Sequence, residues 1–312
     1  MRGERGFALV ITLIVTALLV ALLVEFVNEV YVDTSHSHNF VASQQAGILA
    51  ESGITGGIKL LQVSSVLRAG AQYSSLLEPW AQPQSFDAGE GSVSISIEEE
   101  SGKLNLNTAT SANGTPNLYT EMAGRLFDRL KLSRDLADSL MDWVDENDTP
   151  LPGGAEITYY STLKIPYAAK NKRLETVEEL ALLKGFTPAV LSKLRGCVTV
   201  YGSTNYAEPA TRININTADK EMIASLDEKL GYDLVERILD YRKKRPIKGM
   251  VELNSIPGVD AVSPGFVDKI TFGGDVYRIR AEGRVGESVS MAEAVVRMAG
   301  TAPPVVLYWR EY

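Results

Sequence analysis

Apolar and hydroxyl-bearing residues form an unbroken run near the start of the chain, from Phe7 to Val24, and no charged residue interrupts it. Eighteen helical residues span about 27 Å, which is enough to cross the hydrocarbon core of a bilayer. Arg2 and Arg5 precede the run, and the positive-inside rule then places this end in the cytoplasm and the rest of the chain outside. The pattern therefore predicts a transmembrane helix at 7–24.

Apolar residues continue at helical spacing beyond this run, for example at Ile54, Ile58 and Leu61. Gly53 and two nearby glycines weaken the helical pattern locally. The spacing nevertheless predicts that the same helix continues as an amphipathic segment over 25–70.

Alternation of apolar and polar residues predicts β-strands at two distant places in the chain. The sequence GSVSISIEEE (91–100) alternates clearly, and similar alternation returns only after residue 274. A long helix followed by about four antiparallel strands is an α+β arrangement. The intervening 101–274 has mainly helical spacing, so we predict a helical domain inserted after the first strand. The flanking segments 71–100 and 275–312 then form the α/β domain.

The predicted insertion contains an internal duplication. LNLNTA recurs as ININTA, and the blocks LADSLMDW and ELALLKGF recur, in the same order, as LVERILDY and ELNSIPGV. Asn107 precedes Glu179 by 72 positions, whereas Asn216 precedes Glu252 by 36, so the first copy carries about 36 additional residues. The asparagine or threonine of each NxNTA motif is predicted to cap the helix that follows it.

Composition excludes some classes of function. The chain has 312 residues and a net charge of −8, which argues against a general nucleic-acid-binding protein because phosphate contacts need a basic face. A single cysteine, Cys197, permits neither an internal disulfide nor a zinc cluster.

The block IPGVD in the second copy resembles the hairpin of helix-hairpin-helix DNA-binding modules, and YRKKRPIKG supplies basic side chains nearby. The alternative function is therefore that of a membrane-anchored DNA-binding or competence protein. The match is incomplete, since Asp260 stands where a second glycine is expected and would place a carboxylate beside a phosphate. We expect no nucleic-acid partner.

The additional residues of the first copy form an acidic loop around a Pro-Gly-Gly turn. Calcium binds six to eight oxygen atoms from carboxylates, amides and backbone carbonyls, and an irregular loop can supply them. The spacing is not that of an EF-hand, and the alternative is an acidic helix end in solvent. No nucleophile or acid–base arrangement accompanies the loop, so we predict no enzymatic activity. The candidate metal ligands are Asp142, Asp145, Asn147, Asp148 and Glu156.

The start of the chain resembles a prepilin-type leader, which is a short basic segment that ends in glycine before phenylalanine and an apolar run. The resemblance implies a leader over 1–6, cleavage by prepilin peptidase between Gly6 and Phe7, and methylation of the new N-terminus. Pilin-like proteins commonly carry glutamate at the fifth position after the cleavage site, and this chain has Ile11 there.

The run LMDWVDENDTPLPGGAEITYYSTLKIPYAAKNKRLETVEEL resembles the minor pseudopilin K family of type II secretion systems. That family also lacks the glutamate at the position of Ile11 and inserts a large helical domain into a pilin-like α/β fold. The resemblance implies a subunit at the tip of the pseudopilus, which initiates or caps its assembly for protein secretion across the outer membrane.

The same resemblance implies the partners and the cofactor. The expected partners are minor pseudopilins I and J, with minor pseudopilin H and the major pseudopilin as further candidates, and they would bind exposed apolar positions along 27–67. The expected cofactor is structural calcium, held by Asp142, Asp145, Asp148 and Glu156, with Asn147 and Asn171 as weaker candidates. The expected location is the bacterial inner membrane, with the bulk of the chain in the periplasm.

Overall fold

The chain folds into a long N-terminal helix, an antiparallel sheet and a mainly helical insertion, as the sequence predicted. The computed structural model describes residues 3–68, 70–110, 115–202, 212–299 and 302–312. Residues 1 and 2 of the expected leader lie outside the described residues.

Helices account for the N-terminal arm and for most of the regular secondary structure of the insertion. In chain order they are α1 (Gly3–Leu67), α2 (Leu106–Ala109), α3 (Leu118–Arg129), α4 (Asp135–Val144), α5 (Ile157–Tyr160), α6 (Pro188–Leu194), α7 (Lys220–Ser225), α8 (Tyr232–Arg242) and α9 (Met250–Asn254). Short 3₁₀ turns connect several of them.

Strands form one large sheet and two small pairs. In chain order they are β1 (Gln84–Ala88), β2 (Gly91–Glu99), β3 (Leu104–Asn105), β4 (Val198–Thr199), β5 (Ile213–Asn214), β6 (Ile270–Thr271), β7 (Val276–Val285), β8 (Ser288–Ala299) and β9 (Ala302–Glu311). The large sheet is antiparallel with the order β1-β2-β7-β8-β9, and β3–β4 and β5–β6 are parallel pairs.

The large sheet has five strands, so the expectation of about four strands, with the insertion after the first, was wrong by one strand. The missed strand is β1, which forms a hairpin with β2 in the register Phe86↔Val93. Its sequence QSFDA lies at the edge of the sheet with its central residues exposed, so it lacks apolar–polar alternation. The insertion therefore follows the second strand of the sheet.

Helix α1 packs on the sheet only along its C-terminal half. Ala42 is the first buried side chain of α1 after Phe7, and the apolar positions before it are exposed. A Cβ on Gly53 would lie 2.6 Å from Cβ of Ala281, and a Cβ on Gly57 would lie 2.7 Å from Cγ2 of Ile279. The glycines that weaken the helical pattern thus allow close contact between helix and sheet.

Buried ion pairs connect the large sheet to the start of the insertion. Arg278 of β7 donates from Nε to Glu100 Oε1 at 2.9 Å and also pairs with Glu293 of β8. Lys103 Nζ lies 2.9 Å from the same Glu100 oxygen. Burial alone would raise the pKa of Glu100, but Lys103 and Arg278 lower it below its usual value. The network connects the start of the insertion to the sheet. Removing one of its members would leave a buried charge unpaired, which destabilises the fold.

The duplication appears in three dimensions as two equivalent buried amides. In the first copy (104–202), Asn107 Nδ2 donates to the carbonyl oxygen of Leu174 at 2.8 Å, and Asn107 Oδ1 accepts from the Leu174 amide at 2.9 Å. In the second copy (213–273), Asn216 makes the same two bonds with Ile247, both at 2.8 Å.

The predicted helix-capping role of the NxNTA asparagines fits only the first asparagine of each motif. Asn105 and Asn214 accept a hydrogen bond from the backbone two residues later, as in a local cap. The second asparagines instead make the long-range bonds described above, so their role is to hold distant segments together.

Candidate metal centre

The acidic loop of the first copy begins at the C-terminal end of α4. Asp142 lies in the last turn of α4, and Asp145 follows its last residue, so the two carboxylates lie three positions apart on one face. A helix C-terminus carries partial negative charge, and acidic side chains there are unfavourable unless a cation compensates them.

The Pro-Gly-Gly turn folds back over Asp142. The amide of Leu151 donates to both carboxylate oxygens of Asp142 at 3.2 and 3.1 Å, and the amide of Gly153 donates to Asp138 Oδ2 at 2.9 Å. A Cβ on Gly154 would lie only 1.9 Å from Asp142 Oδ2, so only glycine fits there.

Glu156 completes a group of three buried carboxylates. Asp142, Asp145 and Glu156 each offer one oxygen, and these oxygens lie within 4.8 Å of one another. Ligand oxygens around one calcium ion, at 2.3–2.6 Å from it, are at most about 5 Å apart. The spacing of the three oxygens therefore fits a single bound calcium ion.

Glu156 lacks a hydrogen-bonding partner within the described part of the chain. Its side chain is fully buried, and both of its carboxylate oxygens are unpaired. No described basic side chain forms an ion pair with Asp142, Asp145 or Glu156. Since a buried unpaired carboxylate is costly, this donor set fits a hard cation.

Burial and mutual repulsion raise the pKa values of these carboxylates. Burial, and secondarily the charge of Asp145, raises the pKa of Asp142 to about 6. Burial, together with the charges of Asp142 and Asp145, raises the pKa of Glu156 to about 7. Burial also raises the pKa of Asp145 above its usual value. A bound cation would favour the ionised form of all three.

Two of the predicted ligands lie outside the group of three. Asn147 and Asp148 are exposed, and Asn147 Oδ1 accepts from the Thr149 amide at 2.8 Å. Asp148 Oδ1 accepts from Asn171 Nδ2 at 3.2 Å. The side-chain oxygen of Asn171 is buried and has no partner among the described residues, so this weaker candidate remains available as a ligand.

Aromatic side chains of α4, α5 and the segment after α5 pack together next to the acidic loop in sequence. Trp143 and Tyr160 meet edge to face with ring centroids 5.2 Å apart, and Tyr160 stacks on Tyr167 at the same distance. The hydroxyl of Tyr167 donates to the carbonyl oxygen of Leu182 at 2.6 Å. The loop is thereby held against the rest of the first copy.

Lys184 is a residue of this region that the sequence interpretation missed. Its ammonium group donates to the carbonyl oxygens of Gly154 and Gly153 at 2.8 and 3.3 Å. Its only signal in the sequence is the alignment of the two copies, in which Lys184 corresponds to Pro257.

Two family models match the insertion, and both describe protein K of the type II secretion system. They cover residues 102–203 and 213–271, which together make up about half of the chain and coincide with the two copies.

Curated relatives carry the same name. Type II secretion system protein K of Aeromonas hydrophila is 33% identical over 144 residues, which are 41% of this chain and 41% of that protein. The protein K of Pseudomonas aeruginosa is 28% identical over 77% of this chain and 73% of its own length. The chain spans about half or less of the length of the relatives from A. hydrophila, Klebsiella pneumoniae and Escherichia coli.

A solved structure shares the fold. The match is to the GspK-GspI-GspJ complex of the enterotoxigenic Escherichia coli type 2 secretion system, with a TM-score of 0.71 and 20% identity. It covers 90% of this chain and 99% of that chain. With both copies of the insertion matched by the family's models and the α+β body matched by this structure, the chain belongs to the type II secretion system protein K family.

Proposed function

We propose that the chain is a minor pseudopilin that initiates or caps the type II secretion pseudopilus and that acts as a structural subunit without catalytic activity. The observation that carries this proposal is the match of both copies of the insertion to the protein K models. The helix-and-sheet body supports it, because such a body can join a filament of similar subunits through its N-terminal helix.

The exposed part of α1 supports membrane anchoring. Helix α1 is long and apolar enough to cross a membrane. Its most apolar 18-residue segment has no residue buried in the protein. With Arg2 and Arg5 on the cytoplasmic side, the body of the chain lies in the periplasm. Prepilin peptidase then removes residues 1–6, and Phe7 becomes the methylated N-terminus.

Ile11 and the insertion together favour a place at the tip. A glutamate at this position of a pilin-like subunit pairs with the N-terminal amine of its neighbour, and a tip subunit has no neighbour above it to pair with. An apolar residue is then favoured, because an unpaired carboxylate inside a bilayer is costly. The insertion, which occupies the chain between β2 and β7, adds bulk that a regular filament interior would exclude.

Minor pseudopilins I and J are the partners that we propose, with minor pseudopilin H and the major pseudopilin as further neighbours. The related solved structure is a complex of GspK with GspI and GspJ. Beyond the membrane segment, α1 exposes apolar side chains that the sheet leaves uncovered. They include Tyr31, Phe40, Ile48, Val63 and Val66, all of which are more than half exposed. Helix–helix packing against partner helices would bury them.

Calcium is the cofactor that we propose for the acidic loop. Asp142, Asp145 and Glu156 would hold it, and Asp148, Asn147 and Asn171 are the nearest further oxygen donors along the loop. The ion would supply the positive charge that the buried carboxylates lack. It would therefore stabilise one conformation of the loop and would take part in no reaction.

A DNA-binding role is not favoured. The IPGVD block does form a tight turn after α9, with Gly258 at a φ of +83°. Part of the nearby basic run is engaged within the protein, since Lys243 pairs with Asp240 and Arg245 stacks on Tyr241.

Intact mass and co-purification test the proposed function. Protein purified from its native membrane should start at a methylated Phe7, and Gly6→Ala should abolish this processing while leaving membrane insertion intact. The processed chain should co-purify with minor pseudopilins I and J. The double variant Val63→Asp/Val66→Asp should lose them, whereas Val289→Asp, on the exposed surface of the sheet, should retain them. An unprocessed chain that binds neither partner would refute the proposal.

A further inference from the structure

Lys184 contacts the acidic loop through its ammonium group and its backbone amide. Its Nζ donates to the carbonyl oxygen of Gly154 at 2.8 Å and to that of Gly153 at 3.3 Å. The same ammonium group lies 5.5 Å from the ring centroid of Tyr159, and the backbone amide of Lys184 donates to the hydroxyl of Tyr160 at 3.3 Å. A single residue thus contacts four positions of the loop.

These contacts lie on both sides of Glu156. Gly153 and Gly154 precede Glu156, and Tyr159 and Tyr160 follow it. Glu156 itself has no hydrogen bond to fix its carboxylate among the described residues. The position of its side chain therefore depends on the backbone that carries it, and Lys184 connects both ends of that backbone segment.

The second copy lacks both the acidic loop and the lysine. Lys184 corresponds there to Pro257, which has no ammonium group, and Asp142 corresponds to Asp240, which is exposed and pairs with Lys243. Only the copy with the buried carboxylates has the lysine that holds their loop.

The charge of Lys184 and its hydrogen bonds have opposite effects on a bound cation. A positive charge near the site repels a cation, so its removal alone would strengthen binding. The hydrogen bonds instead hold the loop in one shape, so their removal would weaken binding. Lys184 forms no described ion pair with the three carboxylates and donates to backbone carbonyls, so we expect the loss of its hydrogen bonds to outweigh the loss of its charge.

We propose that Lys184 is a positioning residue that holds the 153–160 loop in its ion-binding conformation before the ion arrives. This inference rests on the calcium binding proposed above. Partners that orient metal ligands typically contribute about 10- to 100-fold in affinity.

Calcium titration of the full chain in detergent tests the inference, with sensitised terbium luminescence from Trp143 as a second measure. Lys184→Met should weaken calcium binding by about 10- to 100-fold, and Lys184→Arg, which keeps a donor for the two carbonyls, should restore most of the affinity. The matched control is Lys193→Met, because Lys193 also donates to a carbonyl, that of Leu130, at 3.2 Å, but lies outside the acidic loop. This control should bind calcium like the unmodified chain.

Hydrogen exchange in calcium-free buffer tests the positioning role of Lys184 separately from the proposed calcium site. If Lys184 holds the loop, the amides of Leu151 and Gly153 should exchange faster in Lys184→Met than in Lys193→Met. Unchanged exchange, or calcium affinity that is equal or higher in Lys184→Met, would overturn the role of Lys184 alone. A chain that binds no calcium at all would overturn the proposed metal site as well.

Discussion

The two copies of the insertion share one framework and differ in one loop. In both, a short parallel strand pair lies beside a buried asparagine that bonds to a distant backbone segment, and the partners are 67 positions apart in the first copy and 31 in the second. The difference matches the additional length of the first copy. The framework thus accepts about 36 more residues after α4 because the buried asparagine closes the same contact in both cases.

The copies also show that equivalent aspartates can lie in two different environments. Asp142 and Asp240 hold equivalent positions near the ends of α4 and α8. Asp142 is buried against other carboxylates, whereas Asp240 lies in solvent beside Lys243. The position in the repeat therefore determines that each aspartate lies near the end of a helix. The additional loop of the first copy determines that Asp142 is buried and what its carboxylate can bind.

The largest expected effect tests the shared framework. Asn107→Ala and Asn216→Ala should each lower the free energy of unfolding by about 3–5 kcal/mol, because each leaves several buried backbone groups without partners. Urea unfolding measures this effect, and Asn39→Ala, at an exposed position of α1, serves as the control. The equivalence of the copies fails if one asparagine tolerates the change and the other does not.

A second substitution should affect only the first copy. Gly154→Ala should lower the free energy of unfolding by about 2–4 kcal/mol and abolish calcium binding, since its Cβ would overlap Asp142. Gly231→Ala, at the start of α8, has no atom near its added Cβ and should cost less than about 1 kcal/mol. Comparable losses for both variants would show that the close turn is not specific to the acidic loop.

A third pair of substitutions tests the metal ligands directly. Glu156→Gln should weaken calcium binding by about 100-fold, or about 3 kcal/mol, because it removes a charged ligand from a buried site. Asp240→Asn, at the position of the second copy that corresponds to Asp142, should leave the affinity unchanged. Isothermal titration compares the two, and equal behaviour would place the ion elsewhere.

The smallest expected effect is the pH dependence of the metal-free chain. The folded pKa values of Asp142 and Glu156, about 6 and about 7, exceed their unfolded values near 4, so folding favours the protonated forms. Their contribution is complete below about pH 4 and is lost as the pH rises through 6–7. The metal-free chain should lose about 1–2 kcal/mol of stability between pH 6 and 8.

Glu156→Gln provides the control for this pH dependence, because it should reduce the loss of stability in the metal-free chain. Calcium should have the reverse dependence, since protons compete for the same oxygens and weaken its binding at low pH. Thermal unfolding at several pH values, with calcium and with a chelator, measures both trends. An identical pH dependence in the variant and the unmodified chain would contradict this assignment.

Much of the fold followed from residue patterns. The long apolar run, the alternation in β2 and the repeated NxNTA motif predicted α1, the sheet and the duplicated insertion. Strand β1 could not be predicted, since its exposed edge position requires no apolar alternation. The packing role of Gly53 and Gly57 could not be predicted either, because their contacts with the sheet depend on tertiary packing.

The candidate metal centre was predictable only in part. The sequence marked five acidic or amide side chains in one loop, and three of them form the buried group in the structure. Asp142, Asp145 and Glu156 are buried, whereas Asn147 and Asp148 are exposed. The burial arises from the folding of the Pro-Gly-Gly turn over Asp142. Lys184 lies 28 positions after Glu156, so local composition gave no reason to connect the two.

A crystal structure of the chain determined with calcium in the buffer tests the central difference between the copies most directly. We predict an ion bound by Asp142, Asp145 and Glu156 in the first copy and no ion beside Asp240 in the second. A structure in which these three carboxylates point into solvent or pair with basic side chains, with no ion between them, would contradict the account.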